Sequence, residues 1–315
     1  MIKLWIQLTE RYGRKRVILL TYLLGVGVVA AIMHFLMFNN LYHSSLLYVF
    51  IPYCISVVIT FFRSYDEPKS HLQRFFSHVL TALSIFLSTS LLVGEGFVCI
   101  AFFAPIYLIV ITASYLISSV TDTHNNGRNN KYSLAVPVIV LVMSLEGTTA
   151  SLSFPRDTFV EVNRSTTLSI NQIKTNLAKP FDLNKKRHWM ISIFPMPYHI
   201  EAGSLNAGDI HTVYTRYHRW FVTNTHEGQS EILIESVSAN RVKTRVLSDT
   251  SYFSTYLKGS GTEISLLPNN QEGTDITLRI DYQRKLDPAW YFHPLQKFGV
   301  SKMGELIIDE LMIRG

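Results

Sequence analysis

Two patterns of hydrophobic and polar positions divide the chain. The first half contains long apolar runs separated by short polar connections, at residues 17–38, 41–62, 75–93, 97–120 and 132–149. The first four are about as long as a helix that crosses a bilayer, whereas the fifth is weaker and contains Pro137. The second half instead shows the alternation that is typical of half-buried strands. We therefore predict a multi-span membrane domain over residues 1–150 and an α+β domain over 156–315.

The clearest pattern lies near the C-terminus. Residues 274–284 alternate, so that the apolar set Ile276, Leu278, Ile280 and Tyr282 points to one face. Asp287 and Pro288 then fit a helix N-cap and a proline at the first helical position. Apolar residues recur at helical spacing from there to Leu311. The pattern predicts a long strand that leads into a long terminal helix.

Shorter elements precede this pair. We predict a first strand over 158–168, then a short helix up to Leu177 with Ser169 as its N-cap. Residues 189–198 contain Pro195 and Pro197, which favours a loop or a broken helix. Further strands are predicted at 210–222, 231–238, 241–248 and 261–267. Their short connections favour an antiparallel meander.

Composition and charge support a membrane location. The chain of 315 residues is 48% hydrophobic and only 17% charged, with a net charge of +6. The basic residues Lys3, Arg11, Arg14, Lys15 and Arg16 stand beside the first apolar run, where such clusters set membrane orientation more often than they bind nucleic acid. Basic residues recur in alternate connections, which predicts a cytoplasmic N-terminus. Five crossings would then place the second domain in the periplasm or outside the cell, whereas an interfacial fifth run would leave it in the cytoplasm.

Four short segments carry a resemblance to a known family. They are Ser144–Gly147, Ser153–Asp157, Leu247–Thr250 and Leu286–Pro294. With the order of elements, they resemble the START-like (SRPBCC) superfamily of polyketide cyclases and lipid-transfer domains, and in particular bacterial membrane proteins that carry several helices before such a domain. The resemblance implies a helix-grip fold, in which a curved antiparallel sheet surrounds a long C-terminal helix and an apolar cavity. It also implies a bacterial inner membrane. It does not imply one activity, because such folds carry many.

A cavity of this kind would be lined by the inner faces of the strands and by one face of the helix. The candidates for ligand binding are Arg216, Trp220, Leu278, Ile280, Tyr282, Trp290, Tyr291 and Phe298. Arg216 and Asp281 form a hypothetical polar anchor for a lipid headgroup, and the alternative is an outward cross-strand ion pair. His293 fits either a general acid–base role or a structural position, packed or on the surface.

Three functional hypotheses follow. The first is a non-enzymatic, membrane-tethered domain that binds an apolar or amphipathic molecule, either a lipid or an isoprenoid. The second is an enzyme of the cyclase or dehydratase type, which would need Arg216, Asp281 or His293 inside the cavity. The third is a structural or signalling module that binds another protein. The sequence contains no nucleophile elbow, phosphate-binding loop or dinucleotide fingerprint, and its histidines lack metal-ligand spacing. We therefore expect no cofactor, no metal and no nucleic-acid partner.

Overall fold

The structure is a computed structural model of the full chain. It describes residues 10, 14–39, 41, 43–63, 70–93, 97–123, 131–183, 196–220, 223–270 and 273–313. Of the basic N-terminal arm, Lys3 and Arg11 lie outside these residues, whereas Arg14, Lys15 and Arg16 lie within them. The chain divides into two compact units, Met1–Leu152 and Ser153–Gly315, which are described separately below.

The first unit is helical. Its described helices are α1 (Arg14–Phe38), α2 (Ile51–Arg63), α3 (His71–Val93), α4 (Phe97–Thr123) and α5 (Lys131–Ser144), with a π-helical turn at Leu46–Phe50 before α2. Among the described residues, one helical segment is long and apolar enough to cross a membrane, Ile100–Ile117 of α4, and Leu46–Thr60 is a shorter apolar stretch. The described residues therefore do not support the prediction of five crossings.

The helices of the first unit pack through apolar side chains and a few buried polar pairs. Ile55 of α2 and Ile111 of α4 belong to one core cluster. Within it, the Tyr107 hydroxyl donates to the Ala82 carbonyl at 2.8 Å. Ser56 Oγ lies 2.9 Å from His78 Nε2, and both side chains are buried. These bonds connect α2, α3 and α4 and satisfy polar atoms that would otherwise be costly to bury.

The second unit is built on one antiparallel sheet. Its described strands are β1 (Asp157–Thr166), β2 (Phe181–Asp182), β3 (Met196–Glu201), β4 (Ile210–Trp220), β5 (Thr223–Val237), β6 (Arg241–Asp249), β7 (Leu257–Pro268) and β8 (Thr274–Arg284). Their order in the sheet is β1-β8-β7-β6-β5-β4-β3-β2, so the first strand pairs with the last. A short helix α6 (Ile170–Leu177) follows β1, and a long helix α7 (Ala289–Ile313) ends the described chain.

Several predicted elements agree with the structure. The bounds of β8 are those predicted from its alternation. The N-cap of α6 is also confirmed, because Ser169 Oγ accepts from the Gln172 amide at 3.3 Å and Gln172 Oε1 accepts from the Ser169 amide at 2.8 Å. This reciprocal pair is a capping box, which satisfies two amides at the helix start.

Two local predictions are wrong. Residues 196–198 belong to β3, although the prolines favoured a loop; a register shift between Pro197 and His199 accommodates the proline. The rest of that predicted loop, residues 189–195, lies outside the described residues. Asp287 is not the N-cap of α7, because the Pro288 carbonyl accepts the first helical bond, from Phe292 at 3.1 Å. The Asp287 carboxylate is instead engaged in ion pairs.

The sheet curves around α7. On one side, Val300 and Ile308 of α7 share a core cluster with Val160 of β1 and Leu278 of β8. On the other side, Leu306 packs against the cluster that contains Ile200 of β3. Because β1 and β3 lie near opposite ends of the sheet, a single helix can reach both only if the sheet bends around it. Register shifts in β5 and β7 are the irregularities that permit such bending. This arrangement is the predicted helix-grip fold.

Candidate ligand site

One row of α7 side chains faces the sheet. The buried members recur every four residues: Phe292, Gln296, Val300, Gly304 and Ile308. Opposite them, β8 presents Ile276, Leu278, Ile280 and Tyr282, and each of these four side chains is buried. Three predicted ligand-binding residues, Leu278, Ile280 and Tyr282, thus lie on the face that meets the helix. Their contact with a ligand stays a prediction.

The middle of this interface is closed by direct packing. A Cβ atom built on Gly304 would lie 3.0 Å from Val162 Cγ2 and 3.2 Å from Ile280 Cδ1. Such distances leave no layer of space between helix and sheet at Gly304. Leu278 and Ile280 therefore belong to packed core at this level, and Ile308 continues the same core cluster toward the end of α7. A ligand between α7 and β8 would therefore fit better near the start of the helix.

Four tyrosines lie near the start of α7; Tyr217 and Tyr282 are buried, and Tyr252 and Tyr256 are half-buried. The Tyr217 and Tyr252 rings stack with centroids 4.7 Å apart, and Tyr256 meets Tyr252 edge-on at 5.6 Å. Gln296 Nε2 donates to the Tyr256 carbonyl at 3.1 Å. Tyr282 lies nearby, because its cross-strand partner on β7 is Gly259, three residues after Tyr256. We call Tyr217, Tyr252, Tyr256, Tyr282 and Gln296 the tyrosine end.

Two polar atoms of the tyrosine end are buried without a hydrogen-bond partner among the described residues, Tyr282 Oη and Gln296 Oε1. Burial raises the pKa of Tyr282 to about 12, and nearby Thr158 and Arg284 partly offset the rise. Under standard distance and angle criteria, Tyr282 Oη has no hydrogen-bond partner among the described residues. Tyr282 is therefore neutral at physiological pH, and the tyrosine end offers both a donor and an acceptor in an apolar surrounding.

A buried ion-pair network stands just beyond the tyrosine end. Arg284 and Asp287 are almost completely buried, and Arg284 Nη1 donates to Asp287 Oδ1 and to the Leu286 carbonyl. Arg156 Nη2 donates to the other oxygen, Asp287 Oδ2, at 2.7 Å. The network joins the segment before β1 to the turn between β8 and α7. It has a structural role, since both charges of the buried pair are already matched.

The proposed anchor of Arg216 and Asp281 is not formed. Arg216 points outward and pairs with Glu227 on β5, with 2.9 Å between Nε and Oε1, and its guanidinium also lies 4.8 Å from the Tyr198 ring centre. Asp281 pairs with Arg279 at 2.9 Å. All four ion-pairing side chains are at least 40% exposed. Both predicted anchor residues thus belong to surface ion pairs. The pair of Arg216 is cross-strand, as in the alternative interpretation, whereas Asp281 pairs within its own strand.

The remaining predicted site residues are dispersed. Trp290 and Phe298 are exposed, while Tyr291 is half-buried and meets Phe292 edge-on at 4.9 Å. Trp220 ends β4, but its side chain lies outside the described residues. His293 is half-buried; loss of solvation lowers its pKa, and the positive charges of Arg284 and Lys297 lower it further. No group of three or more metal-ligating side chains converges anywhere in the described ranges.

Sequence reasoning missed the residues that form most of the tyrosine end. On β4, Thr215 and Tyr217 are buried and Arg216 between them is exposed, so the odd-numbered face points inward. Large side chains occur on both faces of β4, so the sequence does not indicate which face points inward. Gln296 is hard to recognise because a polar residue on a helix usually marks the solvent face. Its position four residues after Phe292 and before Val300 is the available signal.

Comparison with known proteins assigns no family to the chain. No protein-family model matches the chain, and no curated protein matches it. A START superfamily protein from Mycobacterium smegmatis is 12% identical, covers 50% of this chain and 95% of its own, and has a TM-score of 0.34. The ZhuI aromatase/cyclase from Streptomyces sp. R1128 is 15% identical, with 48% and 93% coverage and a TM-score of 0.29. These values are too low to carry a functional argument.

Proposed function

We propose that the chain is a membrane-tethered START-like protein whose helix-grip domain binds an apolar or amphipathic molecule, either a lipid or an isoprenoid. The observation that carries this proposal is the tyrosine end. There, a helix enclosed by a curved sheet holds buried polar atoms that the described residues do not satisfy. Buried polar atoms are normally paired, and ligand pockets typically combine apolar walls with a few such groups.

The surface of the helical unit supports the membrane part of the proposal. Large apolar side chains are exposed along its helices, for example Leu24, Phe35, Leu72, Phe76, Leu80 and Val142. Its polar pair Ser56–His78 is buried instead. Water would solvate this surface poorly, whereas lipid chains match it. Embedding would also hold the second unit beside its source of ligand and raise the effective concentration of the ligand.

The enzyme hypothesis has less support. It required a titratable group inside the domain, and two of its three candidates, Arg216 and Asp281, lie on the outer face. His293 is half-buried near the start of α7. Binding without catalysis needs none of the three.

Mass spectrometry of molecules that co-purify with the full-length protein tests the ligand. Two variants of adjacent β4 residues form a matched pair. Thr215→Phe fills the inner face and should abolish retention, whereas Arg216→Phe changes the outer face and should preserve it. Thermal unfolding of each variant checks that it folds. Retention of no apolar molecule by the wild type, or equal retention by both variants, contradicts the proposal.

Two further measurements test the membrane part. Resistance of the protein to extraction from membranes by alkaline carbonate is the expected result for an embedded helical unit. For orientation, we propose a cytoplasmic N-terminus and an extracytoplasmic second domain in a bacterial inner membrane. A single cysteine at Asn269, in a chain that lacks Cys54 and Cys99, should then react with an impermeant reagent in intact cells. Protection of that cysteine until lysis contradicts the orientation.

A further inference from the structure

The amide of Gln296 has a defined orientation. Its Nε2 donates to the Tyr256 carbonyl at 3.1 Å, and an amide oxygen in that place would face another oxygen. The other terminal atom is therefore Oε1, an acceptor. It is buried, and no donor reaches it from the described residues. A buried acceptor without a donor favours a ligand group that can donate a hydrogen bond from an O–H or N–H.

A complementary donor lies in the same interior. Tyr282 Oη is also buried without a partner of hydrogen-bond geometry, and its neutral O–H can donate. Tyr282 belongs to the same core cluster as Val300, the residue one turn after Gln296 on α7. The interior near the start of α7 therefore presents one acceptor from the helix and one donor from the sheet.

The nearby charges select the kind of ligand. Arg284, two residues after Tyr282, is paired with Asp287. The ammonium group of Lys285 donates to the Ser254 carbonyl. A carboxylate or phosphate buried here would need a counter-charge, and Arg284 or Lys285 could supply it only by leaving its present partner. The loss of that partner would cost free energy. A neutral group that both donates and accepts has no such cost.

We propose that Gln296 and Tyr282 bind the hydroxyl group of an uncharged apolar alcohol. The hydroxyl donates to Gln296 Oε1 and accepts from Tyr282 Oη. Close packing at Gly304 directs the apolar body of the alcohol away from the C-terminal half of α7. This inference rests on the proposed function, since it specifies the ligand of the same site.

Binding of three matched probes to the purified full-length protein tests the inference. They are farnesol, its methyl ether, and farnesoic acid at pH 8, with hexadecanol, its methyl ether and palmitate as a second series. The ether keeps an acceptor but has no donor for Gln296. We expect each alcohol to bind about three- to tenfold more tightly than its ether, and more tightly than its acid.

Variants separate this inference from the proposed function. Gln296→Leu should weaken alcohol binding about three- to tenfold and leave ether binding unchanged, and the control Arg216→Ala should change neither. Tyr282→Phe should weaken both, because each ligand accepts from its hydroxyl. Tighter binding of the acids, or equal losses for alcohol and ether in Gln296→Leu, overturns the inference while ligand binding stands. If neither series binds, both the proposed function and the inference fail.

Discussion

Arg284 of β8 and Asp287 of the following turn form an ion pair in which both side chains are almost completely excluded from solvent. Arg156, from the segment before β1, donates to the second oxygen of the same carboxylate. The pair thus fixes the point where the first strand begins, the last strand ends and α7 starts.

Removal of one partner from this pair should be strongly destabilising. Asp287→Ala leaves the Arg284 guanidinium buried without a counter-charge, and we expect a loss of about 3–5 kcal/mol in the free energy of unfolding. Denaturant unfolding of the full-length protein, followed by tryptophan fluorescence, measures the change. Asp281→Ala removes an exposed carboxylate from its ion pair with Arg279 and should cost about 1 kcal/mol or less. Similar losses in the two variants would contradict the assigned role.

The capping box of α6 gives a smaller, local effect. Ser169→Ala removes the hydroxyl that accepts from the Gln172 amide and should cost about 1 kcal/mol. Amide hydrogen exchange across Ile170–Leu177 should then become faster. Ser165→Ala, a change to an exposed hydroxyl on β1, serves as the control and should leave that exchange unaltered. Unchanged protection of α6 in Ser169→Ala would refute the prediction.

Two glycines of α7 should respond in opposite directions. A Cβ at Gly299 meets no atom within 4 Å, so Gly299→Ala should stabilise the helix by about 0.5–1 kcal/mol. At Gly304, a Cβ comes within 3.0 Å of Val162 Cγ2, and Gly304→Val adds two methyl groups to that contact. We expect a loss of about 1–3 kcal/mol from overpacking.

Thermal unfolding of both glycine variants beside the wild type measures these changes. A rise in the unfolding temperature for Gly304→Val would show that space exists between helix and sheet. That result would also contradict the argument that packing at Gly304 keeps the apolar body of the alcohol away from the C-terminal half of α7.

Tyr282 should make the stability of the second unit sensitive to alkaline pH. Its pKa is raised from 10.0 to about 12 in the folded protein, so between these values the unfolded chain releases a proton that the folded protein retains. This contribution to stability is complete below pH 10 and is lost as pH rises to 12, at up to about 1.4 kcal/mol per pH unit.

The Tyr282→Phe variant isolates that contribution. It should lose less stability than the wild type between about pH 10 and pH 12, measured by denaturant unfolding at each pH. Other tyrosines titrate in both proteins and cancel in the difference. Parallel stability curves for the two proteins would show that Tyr282 is not buried as described.

The sequence predicts the elements of this fold better than it predicts the site. β8 is predicted with its observed bounds because its alternation is uninterrupted, and its apolar face is the one that meets α7. β3 is not predicted because Pro195 and Pro197 resemble strand breakers, yet Pro197 lies beside a register shift where a missing amide is tolerated. Local patterns identify strands, but they do not show at which positions the sheet can accommodate a proline.

The site depends on facts that no local pattern contains. Arg216 has the chemistry of a headgroup anchor, but the direction of β4 turns it outward, toward Glu227. That direction is set by the inner face of the strand, where Thr215 and Tyr217 are buried and Tyr217 stacks on Tyr252. Gln296 gains its role from a contact with the Tyr256 carbonyl, 40 residues earlier in the chain. Both assignments require the assembled sheet.

The pairing of β1 with β8 has a consequence for synthesis on the ribosome. Val160 emerges long before Ile280, its partner across the sheet. Until β8 has left the exit tunnel, β1 has unpaired backbone groups and an apolar face without cover. The nascent domain therefore depends on its final segment, and a stalled or truncated chain would present an open strand edge to chaperones and proteases.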